Sequence, residues 1–195
     1  MSITTLYAEL VVVGSGALFF ILLFCYALFG NQSWFAKLEV PATIGNAIFL
    51  IPALSVIYLL GIVIANVSHL FFRSTEMRLR CESLKAFDKH YQYDEIRNDL
   101  YTSPDAKELV GEFEFRRSKV RISRGWFMNC ILIIVALVAC LIGGKMSWLV
   151  TLFWVVMVTA LMVGTLVSWR TATKTELTWL RSYAEQRTRK HKQAE

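Results

Sequence analysis

Residues 116–144 read RRSKVRISRGWFMNCILIIVALVACLIGG: five cations within nine residues, then twenty residues without a charge. About 20 apolar residues in a helix cross a hydrocarbon core roughly 30 Å thick. A helix is the form in which such a run satisfies its own backbone hydrogen bonds in lipid. The stretch therefore predicts a membrane helix preceded by a basic collar. Three more charge-free runs occupy 10–29, 40–72 and 146–169. They are continuous rather than alternating, which excludes a β-barrel built of short two-faced strands. The expected fold is all-α: an integral membrane protein with four spanning helices. The first run follows nine residues that lack Lys and Arg, and three further spans come after it. It is expected to stay as a helix rather than serve as a cleaved signal.

The cations give the spans a direction. Of 21 Lys and Arg residues, twelve lie in 73–124 and seven in 170–195, with only Lys37 and Lys145 between the other spans. Basic loops stay in the cytoplasm. Both termini are then cytoplasmic, the protein sits in the inner (cytoplasmic) membrane, and the loops at 30–40 and 143–147 face outward. The chain divides into spans one and two with a short external loop (1–72), a cytoplasmic helical hairpin (73–124), spans three and four (125–169) and a basic, helical cytoplasmic tail (170–195). The net charge of +6 does not indicate nucleic-acid binding. Ten acids accompany the twelve bases of the hairpin, and three accompany the seven of the tail. Anionic headgroups are the simplest complement for such juxtamembrane charge.

Pro52 lies inside the second span and removes a backbone hydrogen bond, so a kink is expected there. Beyond His69 the helix continues, because Met77, Leu84 and Tyr91 recur every seven residues with Cys81 and Phe87 beside them. The pattern breaks over 91–104. Ser103-Pro104-Asp105 then has the composition of a helix start, and Leu109, Val110, Phe113 and Val120 form a stripe leading into span three. In the tail, Leu177, Leu180 and Ala184 can line one side, and a basic run including Arg187, Arg189 and Lys190 follows. The hairpin is expected to meet a partner, and the tail to lie on lipid.

Small residues spaced four apart let helix backbones approach closely in lipid. Span three has Ala136, Cys140 and Gly144; span four has Ala160, Gly164 and Ser168; span two has Gly61 and Ala65. The tight turn at 143–147 makes spans three and four antiparallel neighbours, and their small-residue runs are expected to face each other. The same runs suggest a homo-oligomer.

The chemistry-bearing candidates are few. Arg116, Arg117, Lys119, Arg121 and Arg124 have two readings: a topological anchor on anionic lipid, or a site for an anionic partner. Glu112 and Glu114 stand directly upstream and partly neutralise them. Glu9 and His69 are the ionisable groups nearest the spans. Asn66 and Asn129, like Asn46, suit hydrogen bonding between helices. No CxxC, HExxH, phosphate-binding glycine loop or nucleophile elbow occurs, so no catalytic residue, metal or cofactor is expected.

Three functions follow in order of expectation. The first is a non-enzymatic oligomeric membrane subunit that anchors or recruits a cytosolic protein. Small membrane proteins of this size and topology also serve beside soluble partners in stress or defence systems, which is an analogy only. The second is a ligand-gated channel or membrane-disrupting effector. The third is a small proton-coupled transporter using Glu9 or His69.

Overall fold

The computed structural model describes residues 3–30, 45–84, 93–102 and 107–194. Five helices account for nearly all of them: α1 (Ile3–Phe29), α2 (Gly45–Leu84), α3 (Tyr93–Thr102), α4 (Lys107–Ile142) and α5 (Trp148–Ala194). No strand occurs among the described residues. α1, α2, α4 and α5 are long and apolar enough to cross a membrane, and the chain is a multi-pass membrane protein on that ground. α2 passes through Pro52 as one helix. α4 and α5 each run unbroken from their charge-free stretch into a charged one. Residues 31–40 of the first loop expected to face outward and the helix start expected at 103–105 lie outside the described residues.

Sequence periodicity predicts a break across 91–104, yet ten of those residues form a separate helix, α3. Tyr93, Ile96 and Leu100 are spaced three and four apart, so one side of α3 is apolar although its composition is polar. That side is buried with Phe113 of α4 and with Leu177, Leu180 and Ala184 of α5. The stripe expected to border the tail is thus enclosed by helices rather than left for a lipid surface. A second cluster, Phe72, Val120 and Trp169, joins α2, α4 and α5 where the charge-free runs end.

The membrane half is packed differently. α1 lies between α2 and α4, and its backbone meets that of α2 directly. A Cβ on Gly14 would stand 1.8 Å from the Ile57 carbonyl oxygen, and one on Gly61 would stand 2.1 Å from that of Leu10. Only glycine permits this approach.

Span three's small face meets α1 at Cys140. Ala136 and Cys140 are fully buried, and the Cys140 thiol points at the Leu23 carbonyl oxygen (3.7 Å). Gly144 is an exposed turn residue with φ of +62°. This corrects the expected pairing of the two small-residue runs. The physical reason is the register of α5. Thr151, Val155, Val158, Met162, Leu166 and Trp169 form the stripe that is buried or half-buried. Ala160 and Gly164 lie on another side and are exposed, and nothing stands within 4 Å of a Cβ built on Gly164.

Candidate functional site

At the charged end of the bundle, the basic collar of 116–124 is drawn into carboxylates from three other helices. Its register decides which residues turn inward, since positions three and four apart share a side of a helix. Arg121 binds Glu9 of α1 through two nitrogens, at 2.8 and 3.1 Å, and Glu114 lies 3.9 Å away. Glu9 itself is buried. Arg124, also buried, reaches Glu76 of α2 at 3.2 Å, and Glu76 holds Arg80 at 2.6 Å. These two arginines therefore brace α4 against α1 and α2. Arg117 is half-buried within electrostatic reach of Glu176 and Glu114.

The network continues away from the membrane through α3. The Tyr93 hydroxyl donates to Glu176 of α5 (2.9 Å), and the Arg80 guanidinium lies over the Tyr93 ring at 4.0 Å. Burial, with the Glu176 charge second, raises the Tyr93 phenol above the ordinary tyrosine range. Burial also raises the Glu176 carboxyl, against the opposing effect of the Tyr93 hydrogen bond. Tyr101 donates to Glu114, and burial followed by that bond raises its phenol. Arg187 pairs with Asp99, tying the far part of α5 to α3.

Outside this network, Arg116 and Lys119 border a groove of about 580 Å³ between α4 and α5. Its α4 wall carries Glu112, Phe115, Arg116 and Lys119; its α5 wall carries Ser168, Thr171, Ala172 and Thr175. Arg116 binds Glu112 one turn away (2.6 Å), the Lys119 ammonium lies 4.4 Å from the Phe115 ring centre, and the Ser168 and Ser123 hydroxyls meet at 3.2 Å.

Comparison with protein-family models, curated proteins and solved structures finds no match for this chain.

The five collar residues thus separate into two sets. Arg117, Arg121 and Arg124 belong to an internal polar network, whereas Arg116 and Lys119 face the groove. Asn129 is buried and donates to the Val13 carbonyl oxygen across the α1–α4 contact (2.7 Å). Asn66 and His69 are exposed on α2 and join neither Asn129 nor Glu9. Arg189 is exposed, and the Lys190 side chain lies outside the described residues. Among the described residues, no group of three or more His, Cys, Asp or Glu side chains could hold a metal ion. Sequence reasoning missed Glu76, Arg80, Tyr93 and Glu176. The i, i+4 spacing of Glu76 and Arg80 signals their pair; nothing local signals the bond from Tyr93 to Glu176.

Proposed function

We propose that the protein is a non-enzymatic membrane anchor that holds a soluble protein at the cytoplasmic face through the helical end formed by α3 and the extensions of α2, α4 and α5. One observation carries this reading: the extramembrane helices share a closed core of seven buried apolar residues. Topology alone needs a few cations beside each span, not a separate folded layer. That layer presents a rigid polar surface, on which Glu95, Asn98, Tyr101 and Thr102 of α3 are exposed. Fixed surfaces bind with less ordering loss than mobile segments.

Two measurements test the proposal. Cys81 is exposed on the extension of α2. In sealed right-side-out vesicles it should resist a membrane-impermeant maleimide, and in inverted vesicles it should react. The reverse result refutes the orientation. A photo-crosslinking side chain at Asn98, in the full chain in its native membrane, should then trap one soluble protein in constant ratio. A Glu95→Lys substitution should weaken that capture. Crosslinks to lipid or to nothing from both Asn98 and Thr102 would overturn the anchor reading.

The same geometry weighs against the channel and transporter alternatives within one copy. The α1–α2 backbones touch at Gly14 and Gly61, which leaves no conducting path between those two helices. Glu9 is engaged by Arg121, and a proton carrier there would have to break that pair on every cycle.

A further inference from the structure

We infer that the groove between α4 and α5 is a discrete binding site for one anionic phospholipid, with the headgroup phosphate between Arg116 and Lys119 and an acyl chain along the Gly164 side of α5. The inference rests on the proposed orientation, which turns this groove toward the leaflet richer in anionic lipid.

Three observations converge on a lipid rather than on diffuse attraction. The first is selection among cations: the collar turns Arg121 and Arg124 inward onto carboxylates and leaves Arg116 and Lys119 on the groove. Arg116 uses Nε and one terminal nitrogen on a single Glu112 oxygen. Its guanidinium carries five N–H donors, so further donors remain for a phosphate oxygen. The second is the opposite wall, where Ser168 and Thr171 add hydroxyl groups. The Thr175 hydroxyl donates to the Thr171 carbonyl oxygen (2.8 Å) and offers a lone pair instead. Two cations facing the Thr171 hydroxyl suit a phosphodiester, which is an acceptor on all its free oxygens, while the Glu112 carboxylate on the cations' own wall is held by Arg116.

The third observation is the depth of the feature. Ser168 lies one residue before the end of the charge-free run of α5, and Gly164 and Ala160 continue its side of the helix toward the membrane. Both are exposed, and Gly164 meets no neighbour. The small residues leave a shallow furrow beneath the groove, flanked by exposed Leu161 and Val167. A free phosphate would gain nothing from that furrow, whereas a phospholipid places its headgroup and chain in the two parts at once. The furrow also explains why the small residues of α5 are absent from its packed stripe.

The test uses the full chain released from lipid nanodiscs and measured by intact-complex mass spectrometry. The nanodiscs contain equimolar phosphatidylglycerol and phosphatidylcholine. One phosphatidylglycerol per chain should survive release, in at least ten-fold preference to phosphatidylcholine. Lys119→Gln and Arg116→Gln should each lower its retention by about ten-fold, and Arg170→Gln, outside the groove, should leave it unchanged. Gly164→Leu should lower lipid retention while leaving α-helical content intact. Displacement by millimolar glycerol 3-phosphate would assign the groove to a free phosphate and overturn the lipid. A Gly164→Leu change in oligomer mass with lipid retention unaltered would assign the furrow to a second copy and overturn it as well. Unchanged retention in the Lys119→Gln/Arg116→Gln double variant overturns the site outright. Maleimide labelling of Cys81 reports orientation separately, so a failed site and a failed topology give different results.

Discussion

α5 behaves as two helices joined end to end. In its charge-free half most large side chains face outward, among them Leu149, Phe153, Trp154, Val156 and Val163. Beyond Trp169 the same helix contributes Leu177, Leu180 and Ala184 to a closed core. α1 differs within the membrane half: it packs against both α2 and α4 through buried Val13, Ala17 and Ala27, and leaves Phe19, Leu22 and Phe29 facing outward. The contrast shows which force acts where. In water, burial of apolar area holds helices together at about 25 cal/mol per Å². In lipid that drive is missing, and only close approach and polar contacts remain. The membrane half therefore coheres at glycines and at Asn129, and the charged end at large apolar side chains and ion pairs.

The strongest way to break the contrast is to add a side chain where backbones touch. Gly14→Leu would push Cβ onto the Ile57 carbonyl oxygen, 1.8 Å away. Overpacking of this kind costs typically about 1–3 kcal/mol, and more where backbone must move. Folded protein should not be recovered in detergent, as read by size-exclusion chromatography. Gly164→Ala, on the open side of α5, should elute and melt like the parent. Equal behaviour of the two variants would contradict the assigned helix contacts.

The second test moves to the aqueous core. Leu180 is fully buried, and Leu180→Ala should cost about 2–5 kcal/mol. The loss should be local. Limited proteolysis should cut the exposed charged end sooner, and the membrane fragments should remain associated. A variant whose spans separate first would show that the two regions unfold as one unit.

The third concerns the seam between the regions. Glu9→Gln leaves Arg121 without its closest carboxylate, with Glu114 still 3.9 Å away. The amide keeps one acceptor oxygen but removes the charge, so it forfeits part of the about 1.5–3 kcal/mol that a hydrogen bond to a charged group contributes. Thermal melts in detergent should register that loss. A Glu9→Gln protein as stable as the parent would mean that the α1–α4 brace contributes little.

How far the sequence foretells these regions depends on the range of the forces involved. The four spans and the basic collar are legible because length and charge are local properties of the chain. The aqueous stripe Leu177, Leu180, Ala184 is legible from its spacing, although its partner is not. α3 is hidden because ten residues with only a few apolar side chains look like a loop until Phe113 and Leu180 are placed against them. Small-residue runs predict that α4 and α5 approach closely, but such a run does not say which neighbour meets it. α1 meets the small face of α4 at Cys140, and the larger stripe of α5 is turned inward instead. Glu9 stands out as the lone charge before span one; its partner Arg121 lies 112 positions away and cannot be read from spacing.

The smallest effect expected is also the one whose sign separates the two kinds of polar contact. Glu176 lies two turns beyond Trp169, outside the charge-free run, and burial raises its carboxyl above the ordinary glutamate range. The folded state therefore holds this proton more tightly than the unfolded chain does. Its contribution to stability is complete below about pH 4.5 and declines as pH rises through the raised folded value. A carboxylate that gains more from a cation than it loses on burial behaves in the opposite sense and weakens in acid. Glu176→Gln keeps an oxygen to accept from Tyr93 and has no charge to bury. The stability difference between Glu176→Gln and the parent should thus grow in favour of the variant as pH increases from 4.5 toward neutrality, measured by proteolytic susceptibility of the charged end. A flat difference would show that Arg117 and Arg80 fully compensate the buried charge, and the Tyr93–Glu176 contact would then belong with the ion pairs of the seam rather than with the apolar core around it.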